Sequence, residues 1–202
     1  LYEDEVLLIV NKPSGLAVHG GSGVSLGLIE AIRIAKPGLK FLELVHRLDR
    51  DTSGILMLAK KRSALTALHA DIRLGQMDKR YIFLAHGTFK EGLGHVPLRY
   101  PLHKYLLPNG ERRVKVADFG QESYTIIKYL GSSPYGSCFV GEAQLRTGRT
   151  HQIRVHLQHH GYPIVGDDKY GISELDKAMS AKRLMLHAYK LVINHPMTRE
   201  KL

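Results

Sequence analysis

Residues 44–54 read Leu-Val-His-Arg-Leu-Asp-Arg-Asp-Thr-Ser-Gly, placing two arginines and two aspartates within five positions. Apolar residues lead into this segment, and Ile55-Leu-Met-Leu-Ala59 leads out of it. Buried charge is costly unless paired and hydrogen-bonded. Such a bend is therefore either a salt-bridged loop, with Asp49 and Asp51 paired to Arg47 and Arg50, or an active site that offers a carboxylate. A second stretch, residues 145–157, reads Leu-Arg-Thr-Gly-Arg-Thr-His-Gln-Ile-Arg-Val-His-Leu. It predicts a strand, a glycine turn and the start of a helix rich in cationic groups. A helix N-terminus offers free N–H groups and a positive dipole, which suit an anion. Thr150 and Arg154 share one helix face. Arg154 lies between Ile153 and Val155 and is expected to approach a buried site, whereas Arg149 reads equally well as a solvated charge.

The elements that must position these groups follow from punctuation and periodicity. Val6–Val10 reads as a strand stopped by Asn11-Lys-Pro-Ser-Gly15. Ser25 is expected to cap a helix to Ala35, before Pro37-Gly38. Gly54–Ala59 reads as a strand. Ser63–Leu74 reads as an amphipathic helix with Leu65, Leu68 and Ile72 on one face, ended by Gly75. Tyr81–Ala85, Ser123–Leu130, Cys138–Leu145 and Leu186–Ile193 have strand composition. Thr150 is expected to cap a helix through His160. Strands outnumber helices and do not alternate with them. The expected fold is one α+β domain, a mixed, mainly antiparallel sheet with flanking helices.

Composition bounds the function. The chain has 202 residues and a net charge of +10, which favours a polyanionic partner. No apolar run reaches the length of about 18 residues that spans a bilayer, and no leader pattern opens the chain. A single cysteine, Cys138, excludes an intramolecular disulfide and a cysteine-based zinc site. The cytoplasm is the expected compartment, with no membrane partner. The first residue is Leu rather than Met, so the chain reads as part of a longer protein.

His46-Arg-Leu-Asp49 with Thr52-Ser-Gly54 resembles the signature of the RluA-type pseudouridine synthases. The resemblance continues in Asn11–Gly15, Thr147–Arg154, Pro163-Ile164 with Gly166-Asp167, and Leu186-His-Ala188, in the family's order along nearly the whole chain. Within the family, Leu1–Glu5, Ala17–Gly23 and Phe41–Val45 look most like members acting on bacterial large-subunit (23S) ribosomal RNA. The resemblance implies a catalytic domain over residues 1–202, preceded in such members by an S4 RNA-binding domain, and a monomer that binds RNA. It implies isomerisation of uridine without metal or other cofactor.

It also assigns roles. Asp49 matches the catalytic aspartate, and Arg154 the arginine paired with it, an opposite charge favouring the ionised form. Tyr81 matches an active-site tyrosine able to stack on uracil and shuttle a proton; by its residues alone it reads as a core tyrosine. Arg47 matches the residue that enters the RNA where the target base leaves its stack, with a salt bridge to Asp49 or Asp51 as the plain alternative. Arg149, Thr150 and Lys12 join the RNA-facing group, although Lys12, with Pro13, reads more as a brace for the catalytic loop. Asp51 reads as structural and His46 as a packed loop residue rather than a base. The runs Lys60-Lys-Arg62, Lys79-Arg80, Arg112-Arg113 with Lys115, and Lys182-Arg183 are candidates for phosphate contacts.

Other classes fit less well. Gly20-Gly-Ser-Gly-Val24 fails the last position of a hydrolase elbow. His159-His160 with Asp167-Asp168 follows no ligand spacing, and Gly21 with Gly23 lacks the third glycine of a dinucleotide fingerprint. The alternatives that remain are the same chemistry on tRNA or another RNA, and a catalytically silent RNA-binding module.

Overall fold

The computed structural model describes residues 1–21, 26–90, 92, 94–134 and 137–202. In chain order the elements are β1 (Tyr2–Glu3), β2 (Leu7–Lys12), α1 (Leu28–Ala35), β3 (Glu43–Leu44), β4 (Ser53–Ala59), α2 (Arg62–Arg73), β5 (Asp78–His86), β6 (His95–Leu98), β7 (Leu102–Leu106), β8 (Arg112–Val116), β9 (Thr125–Ser132), β10 (Cys138–Leu145), α3 (Gln152–His159), α4 (Ser173–Ala178) and β11 (Leu186–Val192). The expected α+β architecture with a mainly antiparallel sheet is observed. The chain divides into two compact units, Leu1–Lys79 with Ala188–Leu202, and Arg80–His187.

In the first unit the strands lie in the order β1-β2-β4-β11, and β3 also pairs with β4. β2 runs antiparallel to β4, with Leu7 opposite Ala59 and Lys12 opposite Gly54. Alternation puts Leu7, Met57 and Ala59 into a core with Val6, Val45, Ala64, Leu68, Met77 and Ile193, against which Leu65 and Ile72 of α2 pack. The predicted α2 face is thus the buried one. α1 ends where expected, at Ala35, but its cap is Gly27, whose N–H donates to the Glu30 carboxylate at 2.9 Å. The expected cap Ser25 lies outside the described residues.

In the second unit the order is β5-β10-β9-β6, with β9 antiparallel to both β10 and β6. β7 and β8 form a separate antiparallel hairpin, whose Leu102 and Val114 pack with Val155 of α3. α3 departs from the expected span. His151, not Thr150, is the residue before the first turn; it is left-handed at φ 53° and makes no side-chain cap. Among the described residues no helix is long and apolar enough to cross a membrane.

Gly54 fixes how closely β4 and β11 approach. Its φ is +115°, and a Cβ there would meet the Ala188 backbone, with the carbonyl oxygen at 2.2 Å and the nitrogen at 2.6 Å. The Gly54→Ala variant should lose about 3 kcal/mol or more of unfolding free energy. Urea titration measures it, and a loss below about 1 kcal/mol would show that the strands separate easily.

Candidate active site

In the first unit the charged bend leaves β3 and returns in β4. Val45 N–H donates to the Met57 carbonyl at 3.0 Å, and Met57 N–H donates to His46 Nε2 at 3.2 Å, tying the bend to β4. Leu48 is buried and Asp49 half-buried. The Asp49 carbonyl accepts the Thr52 N–H at 3.2 Å, closing a tight turn over Arg50 and Asp51.

Residues 12–16 hold this turn from outside. Lys12 is fully buried, and its Nζ donates to the carbonyls of Pro13 at 2.8 Å, Leu16 at 2.8 Å and Arg50 at 2.7 Å. Gly15 N–H also donates to the Arg50 carbonyl, at 3.0 Å, and Ser14 Oγ donates to that of Asp51 at 2.7 Å. Burial pulls the Lys12 amine down to about 8, against the opposing pull of the Asp51 and Asp49 carboxylates, so it remains an ammonium at neutral pH. All three ammonium protons are on main-chain oxygens. Lys12 is therefore a brace and not an RNA contact, a correction that follows from its burial.

The charges of the bend separate into two kinds. Arg50 forks onto Asp51 at 3.0 and 3.2 Å, a surface pair that makes Asp51 structural. The Arg47 side chain is exposed and makes no hydrogen bond or salt bridge among the described residues. The salt-bridged reading is thus seen for Arg50 with Asp51. His46 is half-buried, and burial, with the nearby Lys79 charge, pushes its pKa down to about 4 against the raising effect of a hydrogen bond to the Arg47 backbone. Lys60 is spent on Glu3 and the Asp4 carbonyl and Lys61 on Glu5, while Arg62 lies over the Phe41 ring. That run folds onto the unit's own acidic start, which makes it a poor candidate for steering RNA.

In the second unit Tyr81 is buried on β5, just after Arg80, whose Nη1 pairs with Glu142 at 3.1 Å. Arg154 on α3 is 2 % exposed, as its apolar neighbours implied. Its Nε and Nη2 fork onto Asp167 at 2.8 and 2.7 Å, and Nη2 reaches Asp168 at 3.3 Å. Burial alone would raise Asp167; the Arg154 hydrogen bonds and charge, with the N–H groups of Lys169 and Tyr170, hold it below its ordinary value. The Tyr170 ring faces Arg154, and its hydroxyl accepts Val114 N–H at 3.0 Å and shares a hydrogen bond of 2.7 Å with His151 Nδ1. Burial pushes that phenol up to about 12, so it stays a donor.

Gln152, to which sequence reasoning gave no role, organises the approach to α3. Its Oε1 accepts Thr147 Oγ1 at 2.8 Å and Arg149 N–H at 2.9 Å, while its Nε2 donates to Tyr124 O and Thr125 Oγ1. A glutamine at the first helical position was the available signal. Arg149 is exposed with Nε on the Glu122 carbonyl at 3.2 Å, and Thr150 is half-buried. Among the described residues no group of three or more His, Cys, Asp and Glu side chains is arranged to hold a metal ion.

Residues 6–159 match the RNA pseudouridylate synthase family, a span that includes Asp49, Tyr81 and Arg154. The chain belongs to that family. It is 48% identical over 205 residues to the ribosomal large subunit pseudouridine synthase C of Haemophilus ducreyi, covering 100% of this chain and 63% of the relative. The enzyme of the same name from Pasteurella multocida is 49% identical, with 100% and 62% covered, and that of Escherichia coli is 48% identical, with 99% and 63% covered. The chain thus spans less than two thirds of the length of these relatives. Among solved structures it is similar to human RNA pseudouridylate synthase domain containing 1, with TM-score 0.82 and 25% identity over 100% of this chain and 80% of that one. Human RNA pseudouridylate synthase domain containing 4 gives TM-score 0.76 and 28% identity, covering 100% and 85%.

Two imidazoles give this family member a pH signature. His46 and the fully buried His156 are both held near 4, burial being the main cause in each. A folded value below the ordinary 6.5 means the neutral ring is the stabilised form. That contribution is whole above about pH 6.5 and is lost as pH falls toward 4. Nitrogen-15 NMR of labelled histidine should show both rings neutral at pH 5, and unfolding free energy should fall from pH 6.5 to 4. Titration of either ring near 6.5 in the folded protein would contradict this.

Proposed function

We propose that residues 1–202 act as the catalytic domain of a synthase that isomerises uridines of large-subunit ribosomal RNA to pseudouridine. The reading rests on identity of 48–49% along essentially the whole chain to enzymes named for that substrate. Pseudouridylation breaks the C1′–N1 bond and forms C1′–C5; the proton lost at C5 is balanced by one gained at N1. No electron is transferred. The reaction needs a carboxylate at the ribose, a surface for the turning base and a way to bring the uridine out of its stack.

Asp49 is the carboxylate, acting ionised, either as nucleophile at the sugar or as base toward the C2′ proton. Support comes from its place in a turn whose two following carbonyls are held by Lys12, Gly15 and Ser14. Arg154, its fork anchored on Asp167, is the arginine that the family resemblance pairs with the catalytic aspartate. Tyr81 stacks on the released uracil and relays the C5 proton. Base flipping costs about a few kcal/mol. Arg47, exposed and uncommitted, fills the vacated place, since a guanidinium both stacks and donates hydrogen bonds. Arg149 and Thr150 meet the RNA at the front of α3. The enzyme works as a monomer in the cytoplasm in this reading.

Pseudouridine mapped to single nucleotides, in naked large-subunit ribosomal RNA and in bulk tRNA, tests the proposal. The expected result is modification of ribosomal RNA only, abolished in a folded Asp49→Asn variant. Near-normal turnover by that variant would remove Asp49 from the mechanism; product in tRNA alone would move the substrate.

A further inference from the structure

Beside the charged bend the first unit carries a cleft of about 470 Å³, within the range of small-ligand sites. Ile29, Leu44 and Val45 give it apolar walls, and His19, Arg33 and Arg47 give it polar ones. Two carboxylates, Glu30 and Glu43, also line it, but both are committed. Glu30 accepts the N–H groups of Gly20 at 3.0 Å and Gly27 at 2.9 Å, and Glu43 pairs with Arg33 at 3.1 Å. The formal charges of Arg33 and Arg47 cancel those of Glu30 and Glu43. A phosphate therefore gains little inside the cleft, while a flat, uncharged, half-apolar group gains apolar contact and an imidazole to bind. His19 is exposed and has no hydrogen bond or salt bridge among the described residues.

Position along the chain names the occupant. Arg47 lines the cleft and Asp49 follows it by two residues, at most about 7 Å of backbone. Whatever is presented to Asp49 and whatever fills the cleft are therefore immediate neighbours on one bound molecule. We infer that the cleft receives the base of a nucleotide directly adjacent to the target uridine, with Arg47 on its rim between the two. This inference rests on the RNA reading above and adds a second base-binding site to it. Single-stranded bases are commonly held this way, an apolar or aromatic surface taking one face and a few polar groups its edge.

The test uses the full chain and a ribosomal RNA fragment that it converts, with an abasic nucleotide placed on one side of the target or the other. At one of the two positions KM should rise about tenfold with kcat unchanged. That penalty should shrink to less than about twofold in a His19→Trp variant, which fills the cleft from its exposed rim and should melt like the wild type. Equal KM for intact and both abasic RNAs would overturn the inference, as would an undiminished penalty in His19→Trp, while leaving the assigned reaction standing. Failure to convert any intact ribosomal RNA would instead defeat the functional reading, and this inference with it.

Discussion

One ammonium group holds the charged bend in place. Lys12 is a large, fully buried side chain, and an unpaired charge there would be prohibitive. It is tolerated because three carbonyls, those of Pro13, Leu16 and Arg50, converge on Nζ within 2.8 Å. Two of those carbonyls belong to the segment after β2 and the third to the turn that follows Asp49. The charge thus stitches together two loops far apart in sequence. β2 and β4 bring the partners into register, with Lys12 opposite Gly54, and Gly15 and Ser14 add two further bonds to the same turn. If Asp49 acts as proposed, these bonds fix the turn that carries it, and such positioning is what a reacting group requires.

The second unit solves the same problem differently. Arg154 is buried against Asp167, and a buried ion pair is seldom a source of net stability. What the pair contributes is orientation: two guanidinium nitrogens are fixed by one carboxylate, and that carboxylate is fixed by the N–H groups of Lys169 and Tyr170. Tyr170, its ring facing the Arg154 guanidinium, then links the arginine to β8 and to His151. Gln152 does the equivalent for the loop before α3 with four hydrogen bonds. In both units a buried polar side chain fixes, by hydrogen bonds, a segment or side chain to which a role is proposed.

How much of this was legible in sequence depended on periodicity. β10 was found at its observed limits, and α2 within one residue, because apolar spacing alone defines them. The β7–β8 hairpin was missed because its strands carry Lys104, Arg112, Arg113 and Lys115, which read as a basic run. β6 was hidden by Pro97, tolerated there because the strand lies at the end of its unit's strand order. Thr150 was a reasonable cap on residue type, but left-handed His151 intervenes and moves the helix start to Gln152. The motifs carried Lys12, Asp49, Tyr81, Arg154 and Asp167. They did not reveal that Arg154 forks onto Asp167, because tertiary hydrogen bonds have no sequence period.

The claim that Lys12 positions Asp49 is tested most directly by kcat of Lys12→Met on ribosomal RNA, read beside RNA affinity and the melting curve. The account predicts a folded variant with near-normal RNA affinity and kcat reduced about a hundredfold, as expected for a reacting group displaced by about 1 Å. A folded Lys12→Met protein with wild-type kcat would show that the turn holds Asp49 without its brace.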